Sequence, residues 1–305
     1  MNILDFYGRF PTEERCREHF RAIREKQGIV CKKCKCGKHY WLKAKWQWQC
    51  CECGFRTGLR SGTVMESSKL PILKWYLAMA FMSFSKKGVS ACELQRQLGH
   101  SRYESIWRMM HKIREAMGKR DDLYNLEGMI EFDEGFFEKA TKKGTKLRRG
   151  KGSQKQVNVA VMAESTPLED LETGKNEKHF RYLKMKALQS QKADAVNKTI
   201  KENLDKLSIV FSDKSKSYVD IADFVEAHYS EKSDTVSAGS TLKWVHIQIS
   251  NAKRDFLGKY HKISGKHLQR YLDEFCYKVN RRYFGKNLFN RVLVAISTQY
   301  WYVSG

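Results

Sequence analysis

Two sets of residues in this sequence are suited to chemistry: the cysteines Cys31, Cys34, Cys50 and Cys53, and the carboxylates of "GMIEFDEGFFE", residues 128–138. Cys31-x2-Cys34, then fifteen residues, then Cys50-x2-Cys53 is four-thiolate zinc spacing, because each CxxC turn supplies two ligands and two turns complete a tetrahedron. Four thiolates leave no open position, so the Zn2+ is expected to be structural. About 10 to 16 kcal/mol from such an ion lets a small ribbon fold without a large core. Cys36 and Cys51 stand beside the set, and either can replace a neighbour as ligand. Cys16, Cys92 and Cys276 read as small packed side chains. Nine cysteines, an odd number with six of them between 31 and 53, argue for metal rather than disulfides in a reducing compartment.

The carboxylates pose a question of placement. On a strand, Glu131 and Asp133 face one way while Ile130 and Phe132 face the other, a pattern that an exposed edge strand also explains. The stretch "KLSIVFSD" likewise runs apolar and then delivers Asp213 at its C-terminal end, where ligands gather in α/β sheets. Two aspartates at strand ends suggest a divalent ion, Mg2+ or Mn2+, held against phosphate. The rest of the chain fits that substrate: Lys+Arg 57 against Asp+Glu 34 gives +23, a surplus that marks a polyanion partner, nucleic acid before membrane. No run of about 18 apolar residues is present, and "MNILDFYGRFPTEERC" is too charged for a signal peptide, so the expected location is cytoplasmic.

The elements that must position these residues fall in two textures. Residues 1–28 read as a helical segment with Phe6, Phe10, Cys16 and Phe20 on its apolar face. Residues 29–60 read as a ribbon of short strands, with Trp41, Trp46 and Trp48 as ribbon core or DNA contacts. Residues 61–118 read as helical: a long apolar helix capped by Ser67 or Ser68 with Pro71 in its first turn, then "SACELQRQLG" and "SRYESIWRMMHKIREAMG", a helix-turn-helix pattern also common in plain bundles. From 119 to 305 the pattern changes to strands at "MIEFDEGFF", "KQVNVAVMAE", "HFRYLKMKAL" and "KLSIVFSD", with a helix near 191–206 and helices within 243–282, implying a mixed α/β sheet. Residues 139–155 hold eight basic residues and no acidic ones, a loop suited to gripping a backbone. The fold class is therefore α+β and multidomain.

Taken together, the ribbon, "SGTVMESSKLPILKWYLAMAFM", "KKGVSACELQRQLG", "IWRMMHKIREAM", "IEFDEGFF", "FSDKSKSY" and "WVHIQISNAKR" through "GKYHKISGKHLQRYLDEFCYKVNRR" resemble the DDE-superfamily insertion-sequence transposases of the zinc-ribbon family numbered fifteen-ninety-five. The resemblance runs in order from about Cys31 to Arg282. It implies a ribonuclease H-like catalytic domain, with Asp133 as the first catalytic aspartate and Asp213 the second. It implies an enzyme that binds double-stranded DNA at the terminal inverted repeats, frees a 3′-OH at each end by two-metal phosphoryl transfer, and joins it to target DNA. Pairing two ends implies a homodimer or a higher assembly on DNA.

The third catalytic position departs from that pattern, which has Glu with Lys seven residues later. No acid lies between Asp234 and Asp255. Counting back from Lys253, which would contact phosphate, gives His246; seven residues is nearly two helical turns, so the two share a face, whereas Asn251 and Lys253 lie nearly opposite. His246 is the preferred third ligand and Asn251 the alternative. A neutral imidazole suits Mn2+ better than Mg2+. Tyr260, His261 and His267 are candidates for the cleft wall or for packing. Two other readings stay open: a zinc-ribbon DNA-binding protein without chemistry, and a structure-specific ribonuclease H-like nuclease.

Overall fold

Strand alternation and helical apolar faces organise the chain into two compact units, Met1–Arg120 with Arg282–Gly305, and Asp121–Arg281. The computed structural model describes residues 2–84, 88–141, 144, 153–169, 176–190, 192–215, 218, 220–231, 241–260 and 263–298. Most of the basic 139–155 loop and His261 lie outside the described residues. Among the described residues, no helix is long and apolar enough to cross a membrane.

In the first unit, Pro11 divides the expected N-terminal helix into α1 (Ile3–Arg9) and α2 (Glu13–Gln27), and Phe6, Phe10, Cys16 and Phe20 are all buried. The ribbon is a three-stranded antiparallel sheet, β1 (His39–Leu42), β2 (Gln47–Cys50) and β3 (Arg56–Gly58). Its tryptophans pack as a cluster: Trp41 lies 5.8 Å from Trp46 and 4.9 Å from Trp48, and Trp48 Nε1 donates to Glu25 of α2. Helix α3 (Ile72–Phe84) starts after Pro71, but neither Ser67 nor Ser68 caps it. Its first amides, Ile72 N and Leu73 N, donate to the Glu13 carboxylate at 3.0 and 2.7 Å. A turn containing Gly99 at φ 54°, a left-handed conformation that glycine adopts freely, joins α4 (Ala91–Gln97) to α5 (Tyr103–Asp121). Helix α5 runs through Gly118, where the sequence pattern suggests an end.

The second unit holds a five-stranded sheet of order β6-β5-β4-β7-β8. Strands β4 (Met129–Glu138), β5 (Gln156–Glu169) and β6 (Asn176–Ala187) form an antiparallel meander. Strands β7 (Ile209–Asp213) and β8 (Ala227–Glu231) then run parallel to β4. Because successive side chains alternate, the sheet buries both faces. Phe137, Val159 and Val161 pack with α7 (Lys243–Leu257) and α8 (Leu268–Asn280), while Ile130, Phe132 and Met162 pack with α6 (Ala193–Asn203).

The boundary expected at 119–305 needs one correction. The unit that holds the five-stranded sheet ends at Arg281, and the last helix, α9 (Leu288–Thr298), belongs to the first unit. Its Phe289 meets Phe6, Phe10 and Tyr76 at ring distances of 6.0, 5.8 and 5.7 Å. Arg24 and Gln27 bond Ser297. An apolar helix goes where a matching groove is, and chain order does not reveal which groove that is.

Candidate active site and candidate metal centre

The ribbon brings its four cysteines together. Cys31 Sγ lies 3.5 Å from Cys53 Sγ and Cys34 Sγ lies 3.4 Å from Cys50 Sγ, and all four sulfurs fall within 4.8 Å of one another. A tetrahedron built on Zn–S bonds of about 2.3 Å has edges of about 3.8 Å, so the set fits Zn2+. The amides of Cys34 and Cys53 hold the Cys31 and Cys50 thiols below their ordinary range, Cys50 at about 6. The Cys36 amide pulls Cys34 down as well, but burial and the neighbouring sulfurs outweigh it and push that thiol up to about 12. A dication at the centre resolves that conflict. Cys36 Sγ instead accepts from Lys38 N at 3.2 Å, and Cys51 is exposed.

In the other unit, the parallel ladder pairs Glu131 with Phe211 and Phe132 with Ser212, so Asp133 and Asp213 are the next residues on adjacent strands and face the same side as Glu131. Helix α7 crosses that face. His246 Nε2 stands 3.2 Å from Asp133 Oδ2. Gly135 makes room for the crossing, since an added Cβ would come within 3.4 Å of Ile249 on α7. Asn251 is turned elsewhere, accepting from Arg254 Nη2 at 3.0 Å. Lys253 is exposed, its Nζ 5.8 Å from the Phe137 ring centre. Tyr260 packs on Tyr271 at 4.6 Å in the core beneath α7 and α8.

Burial pushes the Asp133 carboxyl above its ordinary range; the Glu134 amide, donating at 2.7 Å, opposes this, and the charge of Asp213 adds to it. A buried carboxylate raised further by a second one, with an imidazole beside it, belongs to a donor set that a divalent cation relieves. The arrangement is looser than the ribbon's: among the described residues, the four cysteines are the only group of three or more His, Cys, Asp or Glu with all ligand atoms within 4.8 Å.

Several neighbours escape sequence reasoning. Tyr218, 3% exposed, hydrogen-bonds Glu134 on the opposite sheet face, and burial and then the charges of Glu134, Asp133 and Asp213 raise its hydroxyl. Glu134 also accepts from Asn158 at 2.8 Å. Ser212 Oγ lies 2.8 Å from His228 Nε2 and donates to Asp213 O. Glu231 is opposite Asp213 in the β7–β8 register, in a strand too short and too polar to stand out in the sequence. Glu131 does not line the donor set: its Oε2 accepts from Trp244 N and Val245 N at 2.7 and 3.1 Å. Its parity with Asp133 was the only signal available.

The ISXO2-like transposase domain profile matches residues 125–280, half of the chain and nearly all of the second unit. A protein described as an uncharacterized protein in transposable element ISH50 of Halobacterium salinarum is 26% identical over 138 residues, 44% of this chain and 45% of that protein. The chain thus spans about half the length of that curated relative. Among solved structures, the Mos1 mariner paired end complex with Mn is similar at 12% identity and a TM-score of 0.30, over 72% of this chain and 77% of that one. A pre-cleavage Mos1 transpososome is similar at 9% identity and a TM-score of 0.25, over 72% and 77% of the two chains.

Proposed function

This chain belongs to the ISXO2-like transposase family, and from that premise we propose that it cuts DNA at the ends of its own element and joins the freed 3′-OH to target DNA. The observation that carries this reading is the meeting of Asp133 and Asp213 on adjacent parallel strands with His246 3.2 Å from Asp133. The sheet order, an antiparallel meander followed by two parallel strands, supports a ribonuclease H-like catalytic domain. When bound, Mg2+ or Mn2+ supplies charge stabilisation to the attacking and leaving oxygens at phosphorus.

The chain's own residues divide the remaining work. Asp133, Asp213 and His246 hold the cation, His246 through a neutral ring nitrogen. Lys253, exposed on α7, reaches phosphate as a point charge. Asn251, bonded to Arg254, is the weaker candidate for the third position. Cys31, Cys34, Cys50 and Cys53 hold structural Zn2+, keeping the ribbon rigid so that it and the α4–α5 pair can read the terminal repeats. The excess of 23 positive charges makes DNA affinity steeply salt-dependent. Two copies, one per element end, make the working assembly.

The test is strand cleavage in Mn2+ on duplex DNA carrying the element's ends. Wild type is expected to nick at the ends and to form joined products, and Asp133→Ala and Asp213→Ala to fall to the uncatalysed background while retaining end binding. One observation favours a binding-only protein, the lack of an acid seven residues before Lys253. Equal cleavage by wild type and both variants would establish that alternative, and cleavage indifferent to end sequence would mark a plain nuclease.

A further inference from the structure

The helix that carries His246 has no cap of its own. At its N-cap position Leu242 makes no side-chain hydrogen bond, and its first turn holds no acid, although the first amides of a helix need partners. Two of them, Trp244 N and Val245 N, find theirs 113 and 114 residues away on Glu131 Oε2. A carboxylate there forms charge-assisted bonds and complements the helix dipole. Glu131 is 1% exposed, so nothing solvates it in place of those amides. Its other oxygen lies 3.9 Å from Lys178 Nζ. Lys178 in turn donates to Thr241 O at 3.3 Å and accepts from Trp244 Nε1 at 3.0 Å. The start of α7 is therefore gripped by both β4 and β6.

The spacing of this grip matters. His246 is the residue after the last capped amide, and Asp133 is two residues after Glu131 on the same strand face. A single short strand segment thus supplies the carboxylate and sets where the helix delivers the imidazole. Glu131 cannot turn toward the donor set without releasing both amides into a buried site, and leaving buried donors unpaired costs about 1–3 kcal/mol each.

We propose that Glu131 is the positioning residue for His246: it caps α7 from across the sheet and fixes the contact between His246 Nε2 and Asp133. Its effect on cleavage rests on the transposase reading, whereas the contact it controls is measurable without any cleavage.

The experiment is NMR of the full zinc-loaded chain with 15N-labelled histidine, the His246 ring signal being identified by its loss in His246→Gln. Wild type is compared with Glu131→Gln, which keeps an acceptor oxygen at the same reach, and with Glu131→Asp, which keeps the charge but is one methylene too short. Glu131→Ala completes the series. The Gln variant should hold the His246 signal at its wild-type position, and the Asp and Ala variants should move it to where Asp133→Ala places it. Cleavage should follow the same order, with kcat about 10- to 100-fold lower in the Asp and Ala variants, the usual cost of losing a group that orients a ligand. The affinity for DNA ends should not change. Should the Ala variant not fold, the Gln and Asp pair still decides the matter. The proposal is overturned if Glu131→Asp leaves the His246 signal in place, or if Glu131→Gln is as inactive as Asp133→Asn, which would make Glu131 a ligand. If wild type itself does not cleave, the transposase reading fails, while the ring signals still report whether Glu131 holds the helix.

Discussion

Replacing Phe289 with alanine should destabilise the unit built from the first 120 residues, although Phe289 lies near the other end of the chain. Phe289 is 1% exposed, and its ring sits within 6.0 Å of the ring centres of Phe6, Phe10 and Tyr76. Emptying a fully buried phenylalanine site costs about 3–5 kcal/mol, and the rigid rings around it have little freedom to collapse inward. For a unit of this size each kcal/mol moves the midpoint by roughly 3–4 °C, so a fall of about 10–20 °C is expected. Amide hydrogen exchange on the zinc-loaded chain locates the effect. Protection should drop at Phe6, Phe20 and Met79 and stay unchanged at Ile130, Val161 and Val210. Loss of protection in β4, β5 and β7 instead, or a destabilisation below about 1 kcal/mol, would refute the assignment of α9 to the first unit.

Other outcomes follow from the same packing and charge arguments. Cys50→Ser should abolish zinc binding, while Cys36→Ser and Cys51→Ser keep one zinc per chain; chelator-monitored zinc release checks this, and loss in Cys36→Ser would reassign the ligands. His246→Ala should lower Mn2+-dependent cleavage far more than Asn251→Ala, and the reverse order would move the third position to Asn251. Burial holds the Asp273 carboxyl up at about 7, against the hydrogen bond from Gln269. The folded chain therefore keeps a proton that the unfolded chain releases above about pH 4. That contribution to stability is fully present below about pH 4 and is lost as pH rises through about 7. Urea unfolding at pH 5 and pH 8 should show a smaller fall for Asp273→Asn than for wild type, and equal falls would place the titration elsewhere.

The sequence makes the chemistry more legible than its support. CxxC spacing anticipates four converging sulfurs because a turn fixes two of them at a time. The apolar run before Asp213 likewise anticipates a strand end, whereas Asp133, expected at a strand end too, stands in the middle of β4, which continues to Glu138. What the sequence conceals is what faces each residue. Glu131 and Asp133 share a parity, yet one meets helix amides and the other an imidazole, and only the crossing of α7 separates those roles. Glu13 caps α3 in the same remote manner, whereas a local reading assigns that cap to Ser67 or Ser68. Strand β8 is missed because "AHYSE" is an edge segment with no alternating apolar run. Helix α9 is apolar enough to be recognised, but its partners Phe6, Phe10 and Tyr76 are more than 200 residues away in the chain.

The central claim is that Asp133 and Asp213 share one divalent cation site, and Mn2+ binding followed by the electron paramagnetic resonance signal of the free ion tests it most directly. Wild type should remove Mn2+ from solution, and Asp133→Asn and Asp213→Asn should each leave it free while keeping the circular dichroism of the wild-type fold. Variants that bind Mn2+ as tightly as wild type would contradict the account.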